Sequence, residues 1–571
     1  MKCIISLCAV IFVAFQTSAQ VLQRFDVVID EIFADPTPTV KLPSVEFIEI
    51  KNTSTASINL QGWRLSSLTT TSSAFPSYVL PPDSFLVITS TANAPLFSGY
   101  GRVLGVGSFP TLDNTGTTLT LTSRENATIH SVPYNVSWFQ NAVKSEGGWT
   151  LEMIDTKNPC SGASNWKASV DPRGGTPAAK NSIDGNNKDQ TAPALLRAAA
   201  IDNVTLVLTF DEPLDSLKAA SVANYTISDG IASPTSAITI SPSFNTVQLK
   251  LNTPLATGKV YTITASNVTD CSGNVVQAKA TAKVGLTTVI DSFDVVINEI
   301  LFNPKPNGVD YVEIYNRSKK IFDLRDMYIT NRSSSTGQLG TVRQLTTTNI
   351  LLFPEDYFVI SESGAIVKQQ YTTKTQDNFV DVSSMPSFPD DKGVVVLLNA
   401  QGVIIDELAY DSKWHFALID NEEGISLERV DYNKPTVKDN FHSAASTAGF
   451  GTPGYQNSQY RNDLQVQGDV TVSPKTFSPD NDGTDDFAVI NYQVTERGYV
   501  ANITLFDAAG RPVKVLAKNA TLGLTGSFRW DGLDDKLRKV PVGVYVIYTE
   551  IFNLNGQKKA FKNAVVVAAR F

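Results

Sequence analysis

The sequence predicts an all-β protein made of several β-sandwich domains in tandem, and three observations carry that expectation. Thr, Ser, Val and Asn recur throughout, with Gly and Pro spaced between short apolar runs. That is the composition of strands and turns. Apolar and polar residues alternate with period two in "TLVLTF", "ANITLFD" and "GVYVIYTEIFN", as half-buried strands require. Finally, one long phrase is spelled twice. "DVVIDEIFADP" and "VEFIEIKN" near the start return as "DVVINEILFNP" and "VDYVEIYN" near the middle.

A chain of 571 residues has room for roughly three to five domains. Hydrophobic residues make up 42 % of it, enough for several cores without membrane spans. The net charge of −9 argues against nucleic acid as a partner and against anionic membranes, both of which need a positive surface. Residues 1–19 read as a secretory signal: Lys2, the apolar run "IISLCAVIFVAF", then small residues in "QTSA". That run is too short to span a bilayer, and no later stretch is long enough for a transmembrane segment. Cys8 lies too early and lacks a lipobox, so no lipid anchor is expected. Removal of the signal leaves Cys160 and Cys271, and an exported chain exposes them to an oxidising compartment.

Four units follow the signal. The first repeat covers 25–183 and the second 293–459, because the match extends well past the opening phrase. "WTLEMID" answers "ISLERVD", "VPYNVSW" answers "LAYDSKW", and "GGTPAAKNS" answers "FGTPGYQNS". "LPPDSFLVIT" and "LFPEDYFVIS" supply a matching Pro-acid strand start. Between the repeats, 188–286 carries strands about every ten residues, the spacing of a β-sandwich. A fourth unit, 466–571, alternates between strands and turns such as "AAGRP", "WDGLDD" and "NLNGQ". Helical periodicity is weak throughout, apart from a turn or two near Asp215–Ala220.

The repeated unit resembles a bacterial lamin-tail domain in its "VVINEI…YVEIYN" opening, its "SLER" middle and its "GTPG..NS" ending. That resemblance implies an Ig-like sandwich, used twice, over somewhat more than half of the chain. The unit at 188–286 resembles the Ig-like domain of surface-layer proteins, through "VTLVLTFDEPLD" and "VTDCSGN". The last unit resembles the Ig-like domain of the flagellar hook-capping protein through "ITLFDAAGRPVKVL", "FRWDGLDD" and "VPVGVYVIY". It is also similar to C-terminal domains used in type IX secretion, which implies a sorting or anchoring role.

Candidate chemistry is sparse. His130, His415 and His442 are the only histidines, His442 aligns with Trp166, and no "GxSxG", "HExxH" or "CxxC" is present. The chain is therefore not expected to be an enzyme. Glu31, Glu49, Glu299 and Glu313 interrupt apolar strands. Alternation puts Glu31 on the face of Val27, Ile29 and Phe33, and Glu299 on that of Val295, Ile297 and Leu301. Such carboxylates either accept backbone N–H or Arg donors and fix strand register, or supply a ligand or metal carboxylate, one per repeat. "SPDNDGTDDF" is the best metal candidate: Asp480, Asp482, Asp485 and Asp486 crowd around Gly483, as calcium prefers. Its alternative is a turn in which each Asp caps its own backbone.

A disulfide between Cys160 and Cys271 is expected for three reasons. They are the cysteines left after signal removal. Cys271 lies in a turn that faces the preceding domain. The second repeat has Thr436 in place of Cys160 and is followed by a unit without cysteine. Together these readings predict a non-catalytic secreted or outer cell-surface protein with a binding or structural role in adhesion or envelope interaction, whose partner is protein or glycan. The alternative is an accessory substrate-binding module that works with a surface hydrolase.

Overall fold

The computed structural model describes residues 22–277, 280–333, 335–417, 419–460, 469–553 and 558–569. The signal expected at 1–19 lies outside the described residues. The protein is mostly β, with many separate sheets. Its chain divides into two compact units, Met1–Pro254 with Thr262–Lys283, and Leu255–Tyr261 with Val284–Phe571.

In the first unit, the first repeat packs a six-stranded sheet against a three-stranded one. The larger sheet runs in the order Trp166–Ala168, Leu151–Met153, Val27–Phe33, Phe47–Asn52, Phe85–Ser90, Val103–Val106. The smaller consists of Arg64–Ser66, Gly116–Thr122 and Thr128–Asn135. Val27, Ile29, Ile48, Ile50, Leu119, Leu121 and Trp166 fill the space between them, each fully buried aliphatic contributing about 1.5–3 kcal/mol. The unit at 188–286 pairs a four-stranded sheet with a three-stranded one. Its helical turn is Ser216–Ala219, capped by the Asp215 side chain at the N–H groups of Leu217 and Lys218.

The second unit repeats the plan. Its six-stranded sheet reads Phe441–Ser443, Leu427–Arg429, Val295–Leu301, Tyr311–Asn316, Tyr357–Ser361, Phe379–Asp381. Strand for strand this is the order of the first repeat, including the parallel pairing at one edge. The C-terminal domain joins a three-stranded and a five-stranded sheet around Trp530, Ile490, Ile503 and Ile547.

The opening strands are buried along their whole length: all seven residues of Val27–Phe33 and all seven of Val295–Leu301. Alternation alone cannot achieve this against one core. Pairing runs Ile29↔Ile50 and then Glu31↔Glu49, so Asp30 is an extra residue, a β-bulge. Asn298 is the extra residue between Ile297↔Ile314 and Glu299↔Glu313. The bulge switches the faces. Val27 and Ile29 enter the sandwich core, as does Ile32 beyond the bulge. Glu31 therefore leaves the face of Val27 and Ile29 and joins Phe33, which packs with Phe47, Val87 and Phe97 on the opposite side of the sheet. Glu299 likewise parts from Val295 and Ile297 and stays with Leu301. The face assignment from simple alternation is corrected by that one inserted residue.

Candidate functional site

Three adjacent strands of each six-stranded sheet place a glutamate at the same level. Glu31 is opposite both Glu152 and Glu49, and Glu299 is opposite both Glu428 and Glu313. All six side chains are fully buried. Like charges directly opposite one another in a sheet repel, and a buried carboxylate without donors costs several kcal/mol. Much of the answer in each repeat comes from the segment that closes it, Gly-Thr-Pro and the residues after it.

In the second repeat every carboxylate oxygen is engaged. Glu299 Oε1 accepts from Thr452 N at 2.9 Å and from Ser426 Oγ at 2.6 Å, and from the Tyr311 hydroxyl. Thr452 Oγ1 lies 2.9 Å from both Glu299 Oε2 and Glu428 Oε1, between which its single proton is shared. Ser458 Oγ and Gln459 N donate to Glu428 Oε2 at 2.8 and 2.9 Å. Glu313 accepts from Gly454 N and, at 2.7 Å, from Asn298 Nδ2. No arginine reaches these glutamates among the described contacts; Arg429 turns instead to Asp406.

The first repeat follows the same plan with fewer donors. Thr176 N and Thr150 Oγ1 donate to Glu31 Oε1 at 2.7 and 2.6 Å. Thr176 Oγ1 donates to Glu152 Oε1 at 3.0 Å, Ser182 Oγ to Glu152 Oε2 at 2.7 Å, and Ala178 N to Glu49 Oε2. Glu31 Oε2, Glu49 Oε1 and Asp30 Oδ1 are buried without a hydrogen-bond partner among the described residues. Burial, followed by the charge of Glu152, pushes Glu31 up to about 8. Burial also lifts Glu49 and Glu313 well above the ordinary carboxylate range, and Glu428 to about 8. The approach is close enough to need a glycine: a Cβ on Gly175 would lie 2.6 Å from Thr150 Cγ2 and 2.7 Å from Glu31 Oε1.

The third carboxylate of each row, Glu152 or Glu428, sits in a three-residue strand with no periodicity to mark it in the sequence. Its only trace there is the E shared by "TLEM" and "SLER".

The acidic turn divides. Asp480, Asp482 and Asp486 bring carboxylate oxygens within 4.8 Å of one another, whereas Asp485 stands apart from the group. Its backbone is left-handed, with φ +51°, and its carbonyl accepts from Ser478 N at 2.8 Å, so it shapes the turn. The converging carboxylates also cap local N–H groups: Asp480 Oδ1 takes Asp482 N at 3.2 Å, Asp482 Oδ1 takes Thr484 N at 2.8 Å, and Asp486 Oδ2 takes Gly483 N at 2.8 Å. Hard oxygen donors on an exposed turn fit calcium, and the same bonds fit a self-capped turn.

A second acidic group, Asp189, Glu212 and Asp270, also converges within 4.8 Å. It has no local spacing to betray it, since its members come from three distant segments. Asp270 is held there by Asn274, whose backbone N–H and Nδ2 donate to it at 2.8 and 2.7 Å.

Cys160 and Cys271 are joined, with their Cα atoms 6.3 Å apart and a sequence separation of 111. The histidines are packing residues. His130 is buried and its Nδ1 accepts from Ile29 N at 2.8 Å, and burial holds its imidazole down at about 4. His415 is buried beside Ser443 Oγ, 3.1 Å away. His442 lies opposite Glu428, as Lys167 lies opposite Glu152. The counterpart of Trp166 is thus Phe441, and the alignment of His442 with Trp166 is corrected by one position.

Residues 21–135 and 288–412 match the Lamin Tail Domain family, and residues 189–288 match a bacterial Ig-like domain family. No curated protein sequence matches the chain. Among solved structures, the N-terminal part of the bacterial S-layer protein SbsC is similar at 20 % identity, over 29 % of this chain and 45 % of that one, with a TM-score of 0.17. A longer SbsC chain is similar at 13 % identity, over 66 % and 55 % respectively, with a TM-score of 0.16. A DUF4876 family protein from Bacteroides thetaiotaomicron is similar at 12 % identity, over 42 % of this chain and 96 % of that one, with a TM-score of 0.19. The chain spans about half the length of the S-layer chains it matches. It carries two lamin-tail domains with a bacterial Ig-like domain between them.

Proposed function

We propose that this is a secreted or cell-surface protein without catalytic activity, in which the lamin-tail domains present binding or structural surfaces and the Ig-like domain spaces them. One observation carries this reading: the polar constellation that both repeats share is used to hold each domain's own closing segment. Functional variety then falls to exposed loops, and these differ most between the copies, "SSLTTTSSAFPS" against "TNRSSSTGQLGTVRQ". The Cys160–Cys271 bond supports an oxidising location. Among the described residues no helix is long and apolar enough to cross a membrane. The partner is a protein or glycan of the envelope.

The test is to incubate the purified chain with polysaccharide arrays and envelope fractions, alongside a hydrolase panel. Saturable binding that is lost on swapping the two loops supports the reading. Turnover abolished by a single substitution would replace it with an enzymatic one.

The C-terminal domain is assigned sorting or anchoring, so a chain ending before residue 469 should stay in the periplasm. Surface exposure of that truncated chain removes the assignment. If Asp480, Asp482 and Asp486 share a calcium ion, chelation lowers the melting temperature of this domain, and Asp482→Ala abolishes the effect. Equal melting with and without chelator leaves a self-capped turn.

A further inference from the structure

At one buried position the two lamin-tail domains differ by a single exchange of acid for amide. Asp30 and Asn298 are the extra residues of the same bulge. In the second domain Asn298 Nδ2 donates to Glu313 Oε1 and to Asn457 Oδ1, both at 2.7 Å. In the first domain an ionised Asp30 has nothing to donate. Asp30 is 1 % exposed and Glu49 is 0 % exposed. Asp30 Oδ1 and Glu49 Oε1, the counterparts of that donor and acceptor, have no partner among the described residues. Two acceptors therefore stand where the sister domain has a bonded pair.

We propose that Asp30 and Glu49 hold one proton between them, giving the first lamin-tail domain a pH-sensitive latch that the second lacks at this position. The proton makes an acid do what the Asn298 amide does. Both groups touch the closing segment: Ala178 N donates to Glu49 Oε2, and Asn181 Nδ2 donates to the Asp30 carbonyl at 3.0 Å. Beyond that segment the chain runs on to the Ig-like domain.

The surroundings set the direction. Burial, the largest influence, raises Asp30 to about 7; Lys51 opposes the rise, and Glu152 and Asp184 add to it. Glu49 faces Glu31, Asp30 and Glu152. On the neighbouring strand His130 is neutral, engaged with Ile29 N. Because the folded values of both groups lie above those of an unfolded chain, the latch is intact at acidic pH and is lost once the last proton leaves, as pH rises through the raised value of Glu49. Unpaired charges then accumulate beside Glu31 and Glu152, and residues 176–183 loosen.

Hydrogen exchange of the full chain tests this, followed across the neutral range by mass spectrometry and corrected for intrinsic pH dependence. The opening equilibrium of peptides covering 174–183 should rise by up to about tenfold per pH unit above the latch's pKa. Asp30→Asn should flatten that rise, and Asn298→Asp should create one over 450–459. The second domain keeps its own buried glutamates, so the change caused by each substitution is the deciding quantity. If Asn298→Asp folds only at acidic pH, that also supports the latch. An Asp30→Asn chain whose segment opens as steeply as wild type, or opens more at every pH, overturns it. Should Asn298→Asp not fold at all, Asp30→Asn decides alone.

Discussion

In the first lamin-tail domain the backbone N–H of Ile29 donates to His130 Nδ1, whereas in the second the N–H of Ile297 donates to Asp406 Oδ2, both at 2.8 Å. Everything around that exchange changes with it. Asp406 needs a counter-charge and has one in Arg429, fully buried, with Nη2 at 3.0 Å. Arg429 Nε also donates to the Ile297 carbonyl at 2.7 Å, and Thr436 Oγ1 donates to Asp406 Oδ1 at 2.6 Å. In the first domain Met153 stands at the Arg429 position, and Cys160 replaces Thr436. A neutral imidazole needs no cation beside it, so the arginine can become an apolar residue and the threonine position is released for a covalent bond. The ion pair, the Thr436 hydroxyl that donates to it and the missing crosslink thus form one choice, as do the imidazole, the thioether and the disulfide.

Breaking the charged version should have the largest effect. Arg429→Met leaves Asp406 buried without its partner and should cost about 3–5 kcal/mol. Adding Asp406→His, which copies the first domain, should recover most of it. Denaturant titration of the full chain measures both, and a single substitution costing under about 1 kcal/mol would show that the pair is not the organising element. Next comes the crosslink. Replacing Cys160 and Cys271 by serine should cost the first unit about 2–4 kcal/mol, given the long loop that the bond closes. The unfolding transition of the second unit should not move.

The carboxylate rows sharpen the comparison at a smaller scale. Thr452 Oγ1 bridges two glutamates at 2.9 Å each, while Thr176 Oγ1 makes one bond at 3.0 Å and a marginal contact at 3.5 Å. Thr452→Ala should cost about 1–3 kcal/mol, and Thr176→Ala should cost less. The opposite ranking would mean that the backbone N–H bonds carry the segment.

The smallest effect concerns Ala178, which has φ +62° where its counterpart Gly454 has φ +86°. Ala178→Gly should stabilise the first domain by about 0.5–1 kcal/mol, the relief of a left-handed alanine less the entropy of glycine. The reverse change is not its mirror, because a Cβ on Gly454 would meet Thr375 Oγ1 at 2.5 Å. Gly454→Ala should therefore destabilise by more than Ala178→Gly stabilises, as paired thermal melts would show.

Much of this plan can be read from the repeated phrases, because a glutamate that recurs inside an apolar strand must be answered by donors. What could not be read is the side of the sheet it occupies. A bulge adds a residue without any mark in the pattern, and "VVIDEIF" reads as plain alternation until Asp30 is seen to have no partner across the strand. Glu152 and Glu428 were hidden for a different reason: each sits in a three-residue strand too short to show a period. The acidic turn showed the right residue types, but convergence depends on backbone handedness, and the left-handed Asp485 falls outside it. Asp189, Glu212 and Asp270 meet only through tertiary folding.

The bond between Cys160 and Cys271 also alters how the chain bears a load. Tension along the polypeptide would cross the sulfur bridge instead of the residues between two cysteines 111 positions apart. Those residues include six of the Ig-like domain's seven strands, from Leu195–Asp202 to Tyr261–Ala265. They are thereby shielded from extension, and roughly 370 Å of contour stays locked until the bridge is reduced. In a stretched molecule the second lamin-tail domain, which has no such bridge, would yield its full length while the Ig-like domain holds.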